Sequence, residues 1–275
     1  PLFIAVDQEG GRVQRLKPIH GFPGSPAAEQ LCPGGDSALA FATGRAVGGT
    51  IASVGFNLDF APVADVNVNP ANPVIGGIGR SFAADPQAVA FCAGAFADGL
   101  HESGVLTAAK HFPGHGSSTT DSHLGFTDVS ATWTEAELIP FRALMATGQA
   151  DMIMTAHVFN AHLDPKYPAT LSRAVIGGLL RGRMGYDGVV VTDDMQMRAI
   201  SAHYGLKEAI RLSLDAGADI LLFGNNLEYD PKLPEKALAI IVELVAEGRV
   251  SSERIRQSWK RIQTLKSRLN GAAGG

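Results

Sequence analysis

The sequence predicts an α/β fold, a single-domain TIM-type (β/α)8 barrel. Two observations carry this expectation: short apolar runs alternate with helical patterns over the whole chain, and nearly every run ends in potentially reactive side chains. Alternation of strand and helix means a parallel sheet, either closed into a barrel or open and doubly wound. In a barrel all strand C-termini open onto one face, so the reactive groups converge there. An open sheet concentrates ligands at one switch point, usually with a glycine fingerprint after the first strand. Here the first run leads into Asp7-Gln8-Glu9-Gly10-Gly11-Arg12, which is no GxGxxG. The chain also has no phosphate-binding loop, no GxSxG and no HExxH, so nucleotide, lipase-type and zincin readings lose their usual support.

Six runs rich in Val, Ile, Leu and Phe fit buried parallel strands: Phe3 to Val6, Asn57 to Ala61, Val105 to Ala109, Met152 to Ala156, Val189 to Thr192 and Ile220 to Phe223. The helices between them have recognisable ends. Asp85-Pro86 supplies an N-cap and a first-turn proline, Val89, Ala93, Phe96 and Leu100 form one face, and Gly104 closes the segment. Thr134 with Glu137 reads as a capping box. Leu206 to Ala216 leads through Gly217 into the Ile220 run, and Pro234 to Glu247 ends at Gly248. A last helix, about 251–270, carries Ile255, Trp259, Ile262, Leu265 and Leu269, a stripe read as core.

Composition narrows the function classes. The 275 residues are 45% hydrophobic and 18% charged, with a net charge of -4 and no block of like charges, so phosphate neutralisation of a nucleic-acid partner is not expected. No apolar run reaches the roughly 18 residues of a membrane span. Gly (32) and Pro (15) are dispersed between apolar runs and imply many turns. Cys32 and Cys92 form no CxxC and are read as buried thiols. The chain opens directly into a strand-like run, so the absence of a signal peptide places it in no compartment; the expectation is a cytoplasmic protein and a monomer.

Two segments carry chemistry. Lys110-His111-Phe112-Pro113-Gly114-His115-Gly116 to Asp121-Ser122-His123 is a strand end followed by a long loop. Asp121 and His123, two apart in an extended loop, lie on the same side, and a carboxylate beside an imidazole orients it and favours its protonated form. That pair alone fits a solvated loop contact better than a tuned acid/base. The second segment, Val189-Val190-Val191-Thr192-Asp193-Asp194, puts a carboxylate at the end of a buried strand, where the backbone fixes its position. Pattern alone divides evenly between a structural acceptor and a reactive group.

Together the segments resemble the β-N-acetylglucosaminidase branch of glycoside hydrolase family 3. The resemblance rests on Ala5 to Arg15, Asn57 to Val63, Gly79-Arg80-Ser81-Phe82, the Lys110 to His123 loop, Met154-Thr155-Ala156-His157 and Thr192-Asp193-Asp194-Met195, six matches in order. It implies that Asp193 is the nucleophile of a retaining glycosidase, that His123 is the acid/base and that Asp121 is its partner. It further implies that Asp7, Arg15, Arg80, Lys110 and His111 grip the N-acetylglucosamine, with His157 a further candidate. The substrate class implied is carbohydrate, either muropeptide fragments of peptidoglycan or chitin-derived oligosaccharides, with no cofactor and no metal. Members usually carry one further strand and helix before the Ile-Ala-Val-Asp run, so the barrel is expected to lack its first βα unit.

The residues leave rival readings. A metal site would need His111, His115, His123, Asp121, His157 and Asp193 together, but His111 and His115 lie on a Pro-Gly loop without helical i, i+4 geometry. His115 is expected to bond the Phe112-Pro113-Gly114 turn, and Glu9 to fasten the loop around Gly10-Gly11. His20, His101, His162 and His203 have no motif and are read as surface residues. A family β-glucosidase or xylosidase, a phosphorylase and an inactive sugar-binding barrel are the competing functions; the first generally takes its acid/base from a second domain and lacks the Asp-Ser-His.

Overall fold

The structure, a computed structural model, describes residues 1–226 and 229–271. The strands are β1 (Ala5–Val6), β2 (Gln8–Gly10), β3 (Val13–Gln14), β4 (Leu58–Asp59), β5 (Leu106–Phe112), β6 (Thr127–Asp128), β7 (Met152–Thr155), β8 (Val158–Phe159) and β9 (Val189–Thr192). The α-helices are α1 (Ala38–Ser53), α2 (Pro86–Glu102), α3 (Ile139–Ala146), α4 (Arg198–Ser201), α5 (Leu206–Ala216), α6 (Leu233–Ala246) and α7 (Ser252–Gly271), with a π-helix over Ala174–Arg183.

The central sheet is parallel, in the order β1-β4-β5-β7-β9, so each new strand adds to the same growing edge as the chain advances. With a crossover between neighbours, that order curls the sheet toward a half-barrel. The expected TIM-type barrel without its first βα unit is met as a parallel, curled half-barrel: among the described residues the main sheet has five strands, extended by a lone parallel bridge between Val191 and Ile220 in the sixth predicted run. Proline and side chains shorten the ladder. Pro62 has no N–H to continue β4. At the Ile220 run the Thr192 hydroxyl accepts from the Leu222 amide at 2.9 Å, taking the place of a strand carbonyl.

Period-two alternation divides the core. Leu58, Leu106, Ala108, Met152, Met154, Val189 and Val191 form one cluster with Leu265 of α7, while Ala109, Ile153 and Val190 join the larger cluster against α1, α2 and α3. Helix α7 is anchored at the N-terminal ends of the strands. Its Arg268 pairs with Asp151 just before β7, Arg261 with Asp187 just before β9, and Arg254 with Asp219 just before Ile220. The opposite ends of the strands are left to the reactive side chains.

Several local expectations need correction. Cys32 and Cys92 are not thiols but a disulfide joining the segment before α1 to α2, with Cα atoms 6.2 Å apart; a separation of 60 in sequence hides a contact made by helix packing. Trp259 is exposed, because only Ile262, Leu265 and Leu269 of the stripe turn toward the sheet interior and Ile255 toward α5 and α6. The capping box does not form: the Thr134 side chain makes no cap bond, and Glu137 is buried. His101 is bonded to Asp151 at 2.8 Å and is not a free surface residue. The Asp85 cap forms as read, its carboxylate accepting from the Ala88 amide at 2.8 Å.

Candidate active site

The Ala-Val run of β1 ends in Asp7 and Glu9, and β5 ends in Lys110 and His111, two strands away across β4. The curl of the sheet brings their side chains together. Lys110 Nζ lies 2.8 Å from Asp7 Oδ1 and 2.6 Å from Glu9 Oε1, with only 2% of its side chain exposed. Arg80 grips Glu9 with both prongs, Nε to Oε2 and Nη2 to Oε1, each at 2.7 Å. Arg15 reaches Asp7 Oδ2 at 3.3 Å from a mostly exposed position. Burial raises the Glu9 carboxyl, but the opposing pull of Arg80 and Lys110 is greater and holds it far below the usual range. Burial likewise raises Asp7, and Lys110 brings it below its ordinary value. Lys110 is depressed by burial and more than restored by Asp7 and Glu9, so it stays an ammonium.

His111 is fixed on both ring nitrogens. Nδ1 lies 2.6 Å from Asp65 Oδ2, and Nε2 lies 3.2 Å from Arg80 Nη2. A guanidinium only donates, so Nε2 accepts and the ring proton sits on Nδ1, facing the carboxylate. Asp65 Oδ1 takes the His111 and His115 amides at 3.2 and 2.7 Å. Asp65 is buried, which raises its carboxyl, but His111 and its bonds keep it low. The following loop needs glycine twice. Gly114 has φ +125° and a Cβ there would stand 2.7 Å from Glu137 Cβ, while a Cβ on Gly116 would overlap the Val66 carbonyl.

Asp193 follows β9 directly, and its amide donates to the Thr155 carbonyl of β7 at 3.2 Å. Oδ1 accepts the Asp194 amide at 2.8 Å; Oδ2 has no hydrogen bond among the described residues. Burial raises the carboxyl, yet His157, His111, the Asp194 amide and Lys110 hold it below the ordinary value. Asp193 is therefore an ionised carboxylate with one oxygen free. Its neighbour Asp194 points elsewhere, accepting from the Gln196 and Gly224 amides at 3.0 Å each.

Asp121 and His123 pair on the loop, Nδ1 to Oδ1 at 2.8 Å, and the same oxygen accepts the His123 amide at 2.8 Å. The His123 side chain is 56% exposed. Its Nε2 has no partner among the described residues. His157 is buried, with Nδ1 2.8 Å from the Thr170 hydroxyl and Nε2 2.9 Å from the Asp194 carbonyl, so both of its nitrogens are bonded, as are those of His111. Burial pushes its imidazole down against the pull of Asp193.

Two residues of this cluster escaped the sequence reading. Glu9, read as fastening the Gly10-Gly11 loop, instead organises Arg80 and Lys110. Asp65, one of several acids after an apolar run, is the acceptor that orients His111. His115 bonds the serines of its own loop rather than the Pro113-Gly114 turn. The available signal was charge balance: a cation at a buried strand end, Lys110, requires carboxylates close by. Among the described residues no group of three or more His, Cys, Asp or Glu could hold a metal ion.

Comparison with known proteins finds relatives over most of the chain. The chain is 41% identical over 231 residues to a beta-hexosaminidase of Tolumonas auensis, covering 82% of this chain and 67% of that protein. It is 36% identical over 274 residues to beta-hexosaminidase LpqI of Mycobacterium tuberculosis, covering 97% of this chain and 68% of LpqI. A family 3 beta-N-acetylglucosaminidase from a Paenibacillus species superposes with a TM-score of 0.91 at 42% identity, over 100% of this chain and 51% of that structure. The chain thus spans about half to two thirds of the length of these relatives. Residues 1–265 match the pattern described as the Glycosyl hydrolase family 3 N terminal domain, and the chain belongs to that family.

Proposed function

We propose that the chain is the catalytic domain of a retaining β-N-acetylglucosaminidase that removes non-reducing terminal β-linked N-acetylglucosamine. The observation that carries this reading is the division of labour between Asp193, an ionised carboxylate with a free oxygen, and His123, an imidazole oriented by Asp121 with its outer nitrogen free. Asp193 attacks the anomeric carbon while His123 protonates the departing oxygen; water, deprotonated by His123, then releases the sugar with net retention. Retaining glycosidases generally use two carboxyl groups, whose mutual repulsion raises one pKa. An imidazole adds no second negative charge beside Asp193. Asp7, Arg15, Arg80, Lys110 and His111 form the charged rim suited to sugar hydroxyls and the acetamido group. Arg80 and Lys110 are already neutralised by Glu9 and Asp7, so they donate to the sugar without drawing an unpaired charge into the site.

The relatives' names, beta-hexosaminidase and beta-N-acetylglucosaminidase, support this activity. Muropeptide fragments and chitin-derived oligosaccharides are the natural substrates we propose. The Cys32–Cys92 disulfide favours an oxidising compartment over the cytoplasm expected from sequence.

The test is release of p-nitrophenol from the β-N-acetylglucosaminide, with the β-glucoside as control and with or without EDTA. Selective, EDTA-insensitive turnover that disappears in Asp193→Ala is the expected result. Equal turnover of both glycosides would replace this reading with a β-glucosidase, and sugar binding without turnover would replace it with a binding domain.

A further inference from the structure

The loop that carries the dyad is exposed nearly throughout. From Thr119 to Phe126, five residues are exposed and Asp121 and Gly125 are half-buried; Ser122, between the two dyad residues, is the exception at 1% exposure. Its Oγ lies 2.9 Å from Nε2 of His115, itself buried, and the other nitrogen of that ring lies 2.9 Å from Ser118 Oγ. The protons can be placed. Asn72 Nδ2 donates to Ser118 Oγ at 3.0 Å, which leaves the Ser118 hydrogen for an acceptor, and His115 Nδ1 at 2.9 Å is nearer than the Thr120 carbonyl at 3.2 Å. The ring proton then sits on Nε2 and points at Ser122 Oγ. Burial supports the neutral imidazole this requires, holding His115 down at about 4.

We propose that His115 and Ser122 form a latch that positions the acid/base dyad over Asp193, with both acting as positioning residues. The inference rests on the glycosidase reading above. Asp121 and His123 bond to each other, and among the described residues neither side chain bonds outside the loop. Their pairing alone therefore fixes the imidazole relative to the carboxylate but not relative to the sugar. Ser122 supplies the missing constraint through its side chain on His115 and through its carbonyl, which accepts the Ala199 amide of α4 at 3.4 Å. The base of the latch is shared with the sugar-binding rim. Asp65 takes the His115 amide on Oδ1 at 2.7 Å and the His111 ring on Oδ2 at 2.6 Å, so one carboxylate sets both His111, which packs on Arg80 of the proposed sugar-binding cluster, and the residue that places the loop. Misplacing a catalytic group by about 1 Å costs about 10²-fold in rate.

The test compares Ser122→Ala and Ser122→Thr with the parent chain by two measurements. Amide hydrogen exchange over residues 119–125 is expected to quicken about tenfold or more in Ser122→Ala with the rest of the chain unchanged, and to recover in Ser122→Thr, which keeps the hydroxyl. Turnover of an N-acetylglucosaminide with a poor alkyl leaving group is expected to fall about 10- to 100-fold in Ser122→Ala. The p-nitrophenol burst, which needs little proton transfer, should stay within about twofold. Unchanged exchange over 119–125, or equal losses on both leaving groups, overturns the latch. If the parent chain turns over no glycoside while Ser122→Ala still frees the loop, the activity reading falls and the latch stands. If the parent is active and Ser122→Ala matches it in both measurements, the latch alone falls.

Discussion

The strand-end cluster and the dyad loop do different work with similar residues. Around the strand ends, Glu9 and Lys110 are buried, Arg80 from a neighbouring loop is half-buried, the three are joined at 2.6 to 2.7 Å, and every charge has an opposite partner. On the loop, Asp121 and His123 are joined at 2.8 Å, Asp121 half-buried and the His123 imidazole in solvent. A buried ion cluster is costly to break and costs little to hold once formed, so it gives fixed donors for a sugar. An exposed pair is worth little for stability, but its imidazole is free to exchange protons with water, which an acid/base must do twice per turnover. Under the proposed function, the contrast places rigidity where the substrate would be gripped and exposure where protons would pass.

The sharpest test removes the group that both regions serve. Asp193→Ala is expected to lower turnover by roughly 10⁴-fold or more, with the melting temperature little changed, since Asp193 accepts only its neighbour's amide. Next comes the buried cluster. Glu9→Gln should cost about 3 kcal/mol in urea unfolding, because it takes from Arg80 its carboxylate partner and leaves Lys110 with Asp7 alone; it should also raise KM. A Glu9→Gln protein as stable as the parent would show that the cluster is not the rigid half of the site. Reducing the Cys32–Cys92 bond opens a loop with a separation of 60 residues and should cost about 4 kcal/mol, lowering the melting temperature by about 7 °C. This change lies outside both regions, so the leaving-group profile should not move.

His123→Ala is expected to slow poor leaving groups by about 10²-fold while sparing activated ones. Stability should be unaffected, as befits an exposed pair, and equal losses on both substrates would remove His123 from proton transfer. The smallest effect is in pH. Burial, the largest influence, raises Asp59 to about 7, and its Oδ2 has no partner. The folded state thus keeps a proton that the unfolded chain gives up near its ordinary value of 3.8. Stability from the neutral form is present below that value and is lost as pH rises toward about 7. Between pH 6 and 8 this amounts to a fall of about 1 kcal/mol. Glu137, raised to about 7 by burial, adds a similar slope. Asp59→Asn should therefore flatten the fall by about half in denaturation curves taken at the two pH values; an unchanged slope would mean that Asp59 is ionised in the folded protein.

Legibility differed by the range of the interaction involved. Helix α5, Leu206–Ala216, and strand β9, Val189–Thr192, fall where the pattern puts them, because each is bounded by its own neighbours: Gly217 after the helix, and Asp193 after the strand. The Asp85 cap was readable for the same reason. Thr134 and Glu137 carried an equally good local signal, and burial of Glu137 overrode it. Glu9 looked like a loop fastener because its partners, Arg80 and Lys110, are 71 and 101 positions away. The disulfide escaped for that reason too.

By itself the sequence determined which side chains stand at the strand ends, because a parallel strand is a short apolar run and its last residue is marked by the first polar one. It determined the helix caps, which depend on contacts within one turn, and the Asp-Ser-His spacing that lets Asp121 hold His123. Only the tertiary structure decided which of those groups meet. Curling of the sheet set Glu9 against Arg80 and Lys110, Asp65 against His111, and His115 under Ser122, while both nitrogens of His157 were taken up by Thr170 and Asp194. The physical reason is that a buried charge or imidazole must find its partner wherever packing brings one, and distance along the chain does not encode that.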